Sequence, residues 1–191
     1  KASEGSTVQK KMVQFCLSVG ERYVGCSDIL TDSAAEFDAK TSLMRFYEKS
    51  RARGMMLVYS QLYKIADILV FSKLRKLLGG ELTSAVSGGA ALKQGPDLLL
   101  RMAGINVLEA FGATETSPGV TGRTEAKNVL GTAGETLPEV EVYIVDSHMR
   151  NVPNGRRGEI LVSGPNVMMG YWKKPEATRE AIVFHNGRRC Y

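Results

Sequence analysis

The chain has 191 residues, 43% of them hydrophobic and 24% charged, with a formal net charge of +5. That length suits one domain or part of a larger one, and the apolar fraction is enough for a real core. The 25 basic residues are scattered along the chain. With no Cys/His zinc spacing, no aromatic ribonucleoprotein motif and no long basic tract, nucleic-acid binding is excluded as a class. The positive balance suits anionic partners, nucleotides or an acidic membrane among them, although a solvated surface accounts for it better.

Cys16, Cys26 and Cys190 are odd in number and form no CxxC. They point to free thiols and an intracellular, reducing compartment. His148 and His185 lack a ligand cluster and read as surface residues. No signal peptide is visible, and no run reaches the roughly 18 apolar residues of a spanning helix. The chain does not begin with Met and stops at Cys190-Tyr191 without a polar tail, which reads as a cut at both ends.

In chain order, Thr7 to Val24 carries Val8, Met12, Phe15, Cys16 and Val19 near a 3.6-residue period and predicts a helix. A break is expected over 25–32, with Ser27-Asp28 and Thr31-Asp32 as candidate caps. Ala34 to Arg53 and Met55 to Leu78 predict two more helices, the second ended by Gly79-Gly80. Leu82 to Val86 then predicts a strand, Lys93 to Met102 a helix with Pro96 near its start, and Ile105 to Phe111 a second strand. Strand, helix and strand in this order make a βαβ unit, and open α/β sheets bind ligands at the carboxyl ends of their strands. Beyond Gly119 the chain is β-rich, with strands expected at 140–145 and 160–163, a turn at 152–155 and a short helix at 175–182. The expected architecture is α/β: a helical segment (1–80), a βαβ nucleotide-binding unit of a doubly wound sheet (81–128) and a β-rich subdomain (129–191), all within one incomplete domain.

Two small-residue turns follow the two strands of the βαβ unit. Ser87-Gly88-Gly89-Ala90 offers bare backbone, either for close approach to a flat ligand or for a tight strand-to-helix turn. Phe111-Gly112-Ala113-Thr114-Glu115 packs an aromatic, a glycine, a hydroxyl and a carboxylate into five residues. Phe111 can stack on a purine or close a core. Thr114 can meet a phosphate or cap a helix, and Glu115 can hold Mg²⁺ or stand solvated. Glu109 shares the face of Phe111 and can accept from an adenine amino group or simply end the strand. Neither GxxxxGK[ST], GxGxxG nor GxSxG occurs.

Taken together, Ser87 to Leu92, Phe111 to Thr116, and Gly158 to Trp172 followed by Pro175-Glu176-Ala177-Thr178 resemble the adenylate-forming superfamily. Leu69 to Arg75 leading to Gly79-Gly80 is similar to its long-chain acyl-CoA synthetase branch. The resemblance implies a fatty acid, Mg·ATP and coenzyme A as substrates, with acyl-AMP formed first and the acyl group then passed to a thiol. Position by position it implies Phe111 as the adenine-stacking ring where Tyr is commoner, and Gly88, Gly89 and Ala90 along base and acyl pocket. Thr114 would lie at the phosphates, with Gly112 among the cofactor-binding residues, Glu115 at Mg²⁺ with Thr114 beside it in catalysis, and Glu109 at the adenine amino group. Ala91 stands where Pro is frequent, and Gly158 and Glu159 fall in a motif of mainly structural role. The phosphate loop is expected before residue 1, the ribose-binding Asp after Tyr191 and the catalytic Lys in a further lid domain, so the chain alone is expected to be inactive. Other readings are a ligase using acyl carrier protein or a shorter or aromatic acid, and a non-catalytic nucleotide-binding or membrane-associated module. The last rests on Lys64, Lys73, Arg75 and Lys76 along an apolar helix.

Overall fold

The computed structural model describes residues 2–33 and 40–191. Its contacts divide into two compact units that interleave along the chain: one of 1–86, 92–108 and 125–132, the other of 87–91, 109–124 and 133–191.

In the first unit, helix α1 runs unbroken over Ala2–Leu30. The expected break at 25–32 shrinks to the exit of this helix. Nothing lies near Gly25 to disturb it, and Asp32 takes a left-handed φ of 54° where the chain leaves. The helix expected from Ala34 begins at Ser42; positions 34–39 lie outside the described residues. Thr41 caps its start, accepting from the Met44 amide at 3.4 Å. Helix α2 (Ser42–Ala66), a π-helical segment (Asp67–Phe71) and α3 (Ser72–Leu77) then follow without interruption. Gly54 therefore sits inside a helix instead of separating two, a cost its neighbours absorb. The run ends at Gly79 and Gly80, with φ of 95° and 84°. By length and composition alone, Ser42–Leu77 is apolar enough to cross a membrane, contrary to the expectation that no run is.

The π-helical turn has a visible purpose. It places Asp67 where both its oxygens accept from Arg75 at 2.7 Å, while Arg75 also donates to the Ala103 carbonyl at 2.8 Å. Arg75 is thus an internal clamp, which removes it from the cations a lipid-facing helix would offer. Around it lies a core of Cys16, Val19, Ala66, Phe71, Met102 and Ile105. Tyr63 stacks on Tyr23 at 4.1 Å and donates to the Met102 carbonyl at 2.5 Å. Burial pushes its phenol up to about 12. Strand β1 (Ser84–Ser87), helix α4 (Gln94–Met102) and strand β2 (Asn106–Phe111) follow in the predicted order, β1 and β2 being neighbours in one sheet.

In the second unit, the end of β2 pairs antiparallel with β3 (Thr121–Gly122), and β3 with β4 (Glu135–Thr136). A second sheet has the order β5-β6-β8-β7, from strands Glu141–Val145, Glu159–Ser163, Val183–His185 and Arg188–Cys190. Helix α5 (Pro175–Ala181) precedes β7. Val120, Val140, Val162 and Val167 form one small core, and Val145, Leu161 and Cys190 another. The cysteines are free and buried. His185 is buried too, against the expectation of a surface residue: its Nε2 lies 2.8 Å from Asn151 Oδ1 and its ring meets Tyr143 edge-on.

Gly20 is a close-packed point of the helical core. A methyl there would come within 2.6 Å of Met102 Sδ and 2.7 Å of Phe71 Cζ. Gly20→Ala is expected to destabilise by about 1–3 kcal/mol through overpacking, a fall in Tm of roughly 2–4 °C for each kcal/mol. Thermal melting followed by circular dichroism checks it; an unchanged or higher Tm would show that the core has room.

Candidate functional site

The predicted motif stands at the end of β2, all of it in the second unit. Phe111 pairs with Thr121 across the sheet, and its carbonyl accepts from Val120 at 2.9 Å. The backbone is thus fixed while the residue is 40% exposed, which leaves part of the ring accessible as a stacking face. The chain then doubles back so tightly that a Cβ on Gly112 would overlap the Pro118 carbonyl. Thr116, the last residue of the motif and without a role in the sequence reading, holds this loop: its buried hydroxyl accepts from the Ala113 amide at 2.9 Å and reaches the Ala113 carbonyl at 2.9 Å. Ser117 completes the reversal at φ 54°. Thr114 is exposed on the outside of the short 3₁₀ turn Thr114–Thr116.

The glycine turn adjoins the same strand end. A Cβ on Gly88 would lie 3.3 Å from the Ala110 carbonyl, and Gly89 has φ 86°. Gly88, Gly89 and Ala90 are exposed. The structure therefore brings together the two turns that the sequence separates by some twenty positions. Glu109 is placed differently from the rest. Its carboxylate meets Arg123 at 2.5 Å, and the Arg123 side chain is only 1% exposed. Any acceptor role toward a base would share that carboxylate with a buried guanidinium.

Glu115 is half-buried and accepts from the Tyr171 hydroxyl at 2.6 Å; its backbone carbonyl accepts from the Met168 amide at 2.8 Å. The Tyr171 hydrogen bond, helped by the residue's own backbone amide, holds the Glu115 carboxyl below the usual carboxylate range. The same bond pushes the Tyr171 phenol up to about 12. Asn166 donates to the carbonyls of Thr116 and Gly119 at 2.9 and 2.7 Å, and Arg189 donates to those of Met168 and Met169 at 2.6 and 2.8 Å. The segment 166–171 is thereby laced to the motif loop. Tyr171 and Asn166 went unassigned in the sequence although both lie inside the Gly158–Trp172 motif. That motif's spacing carried the signal, but nothing in it names a partner fifty residues away.

Among the described residues no group of three or more His, Cys, Asp or Glu is placed to hold a metal ion. A resident metal cage is therefore not what these residues offer. One ionised, hydrogen-bonded carboxylate next to an exposed hydroxyl fits Mg²⁺ arriving with a nucleotide, since Mg²⁺ is commonly held by one or two carboxylates plus phosphates and waters.

Comparison with known proteins identifies the class. The family of AMP-binding enzymes matches residues 20–172, and the chain belongs to it. It is 35% identical over 141 residues to a chloroplastic long-chain-fatty-acid–[acyl-carrier-protein] ligase of Arabidopsis thaliana, covering 73% of this chain and 19% of that protein. It is 37% identical over 121 residues to a long-chain-fatty-acid–CoA ligase of Mycobacterium bovis, covering 63% of this chain and 18% of that protein. The chain thus spans less than a fifth of the length of these relatives. The crystal structure of a long-chain-fatty-acid-CoA ligase from Archaeoglobus fulgidus superposes with a TM-score of 0.54 at 22% identity, over 63% of this chain and 28% of that one. This likeness shows the fold.

Two outcomes follow from the geometry. Gly112→Ala is expected to open the loop, because the Pro118 carbonyl is backbone and cannot swing away. The amides of Thr116 and Ser117, which donate to Ala113 and Thr114, should then lose protection from hydrogen exchange. Retained protection would refute the packing constraint. For pH, the Glu115 carboxyl is lowered on folding, so its contribution is present above the unfolded pKa and is lost as pH falls through the lower folded value. Carboxyl ¹³C NMR should show Glu115 still ionised where an ordinary glutamate, near 4.5, is half protonated.

Proposed function

We propose that this chain supplies adenine, phosphate and Mg²⁺ contacts of an ATP-dependent acid–thiol ligase whose substrate is a long-chain fatty acid. In the first step a carboxylate oxygen attacks the α-phosphorus of ATP, giving acyl-AMP and pyrophosphate. In the second a thiol, that of coenzyme A, displaces AMP and leaves a thioester. Activation is needed because a carboxylate is a poor electrophile and AMP is a good leaving group. Mg²⁺, when bound, neutralises charge developing on the phosphates. The chain's own residues have definite tasks. Phe111 offers a fixed ring to the base, and Gly88, Gly89 and Ala90 let the backbone approach it. Thr114 holds a phosphate oxygen, Gly112 permits the turn that presents it, and Glu115 keeps a negative charge for the cation.

The single observation that carries this reading is the placement of an exposed aromatic, an exposed hydroxyl and a held carboxylate on one tight loop, within a chain of the AMP-binding enzyme family. A second acceptor is favoured by one comparison: the relative covering 73% of the chain is named as an acyl-carrier-protein ligase. Free, buried thiols support a reducing, intracellular location.

Mg·ATP titration of the chain by calorimetry tests the base contact. Phe111→Ala should weaken binding by about 1–3 kcal/mol, the range of a base–aromatic stack, while Phe111→Tyr should leave it unchanged. Equal affinity in all three would sink the assignment of Phe111. The reaction is tested by grafting residues 20–172 into the matching segment of the acyl-carrier-protein ligase and assaying pyrophosphate release with long-chain acids, then thioester formation with each acceptor. A folded chimera that releases pyrophosphate only with short or aromatic acids would overturn the long-chain assignment.

A further inference from the structure

The segment 166–171 makes four hydrogen bonds to the motif loop, and three of them reach only backbone carbonyls. Those three fix where the loop is. The fourth, from the Tyr171 hydroxyl to Glu115 Oε1 at 2.6 Å, fixes a side chain that carries charge. We infer that Tyr171 is a positioning residue: it holds one oxygen of the Glu115 carboxylate so that the remaining acceptor positions face outward for a divalent cation. This rests on the reading of Glu115 as the Mg²⁺ carboxylate.

The physical case is about what kind of partner a cation-binding carboxylate can tolerate. A free glutamate samples several rotamers, and freezing them on binding costs affinity. A cationic partner would freeze it but cancel its charge. A phenol donates one hydrogen bond and brings no charge, and a carboxylate with two oxygens retains further lone pairs after accepting it. Ligating carboxylates are in general themselves hydrogen-bonded, and removing such outer partners costs roughly 10–100-fold in metal affinity. Tyr171 is itself supported from behind: its backbone amide donates to Thr178 Oγ1 at 2.9 Å, and Arg189 fixes the carbonyls of Met168 and Met169 just before it. The hydroxyl therefore acts from a braced position.

The test uses the 191-residue chain and two readouts. In the nucleotide-free protein, NMR three-bond couplings should show one Glu115 rotamer in the parent and averaging in Tyr171→Phe, while the Met168 amide stays protected from exchange in both. With ATP added, Mn²⁺ binding followed by electron paramagnetic resonance should weaken about 10–100-fold in Tyr171→Phe, while ATP binding without metal is unchanged. A Glu115 equally ordered in both proteins overturns the inference. So does loss of Met168 protection in Tyr171→Phe, which would make Tyr171 a structural member of the loop. If the parent binds no Mn²⁺·ATP but the rotamer effect stands, the nucleotide assignment fails and the positioning role survives.

Discussion

The site depends on the closure of the loop from Gly112 to Pro118. The backbone returns so close to itself that the space over Gly112 belongs to the Pro118 carbonyl. A reversal this tight leaves main-chain groups pointing inward, and each needs a partner. Thr116 satisfies the Ala113 amide from within, and Asn166 takes the carbonyls of Thr116 and Gly119 from outside. With the interior of the loop thus satisfied, the side chains of Phe111, Thr114 and Glu115 stand at its outer rim. The strand end that carries Phe111 is fixed by pairing with β3, so the rim is presented by rigid structure even though it lies in a loop.

Much of this was legible in the sequence, and the gaps have physical causes. Glycine-rich turns after apolar runs located β1, β2 and the two loops to within a residue or two, because turn chemistry is local. The helical half was legible in type but not in extent. Gly25 and Gly54 read as breaks, yet each sits in a helix with open space around it, where the cost of glycine is small beside the packing that continues on both sides. The role of Arg75 was hidden for a different reason. On a helix drawn with a regular period it is one basic residue among several, and only the π-helical turn aligns it with Asp67. His185 reads as a surface residue because its partners, Asn151 and Tyr143, are non-local. Tyr171 and Asn166 illustrate the same limit at the site: a motif's spacing shows that a segment is constrained, whereas what constrains it is a contact that spacing alone does not name.

Glu109 and Glu115 show what the structure adds to a list of acidic residues. They lie six positions apart around the same strand end, and the sequence reads Glu109 as an acceptor for an adenine amino group and Glu115 as a Mg²⁺ ligand. Their partners separate them. Glu109 is paired with an arginine whose side chain is almost wholly buried. In low dielectric that pair is strongly coupled, and leaving either charge alone would be costly. Such a carboxylate has its negative charge already answered and serves to keep Arg123 in the interior. Glu115 is half-buried, and the side chain that holds it is the uncharged phenol of Tyr171. This partner restricts its position and favours its ionised form while leaving its charge unanswered. The role proposed for Glu115, a negative charge kept in place until a cation arrives, calls for this second arrangement. What separates Glu115, the carboxylate proposed to face a cation, from Glu109 is the character of their hydrogen-bond donors, which is a property of the fold and invisible in either residue's identity.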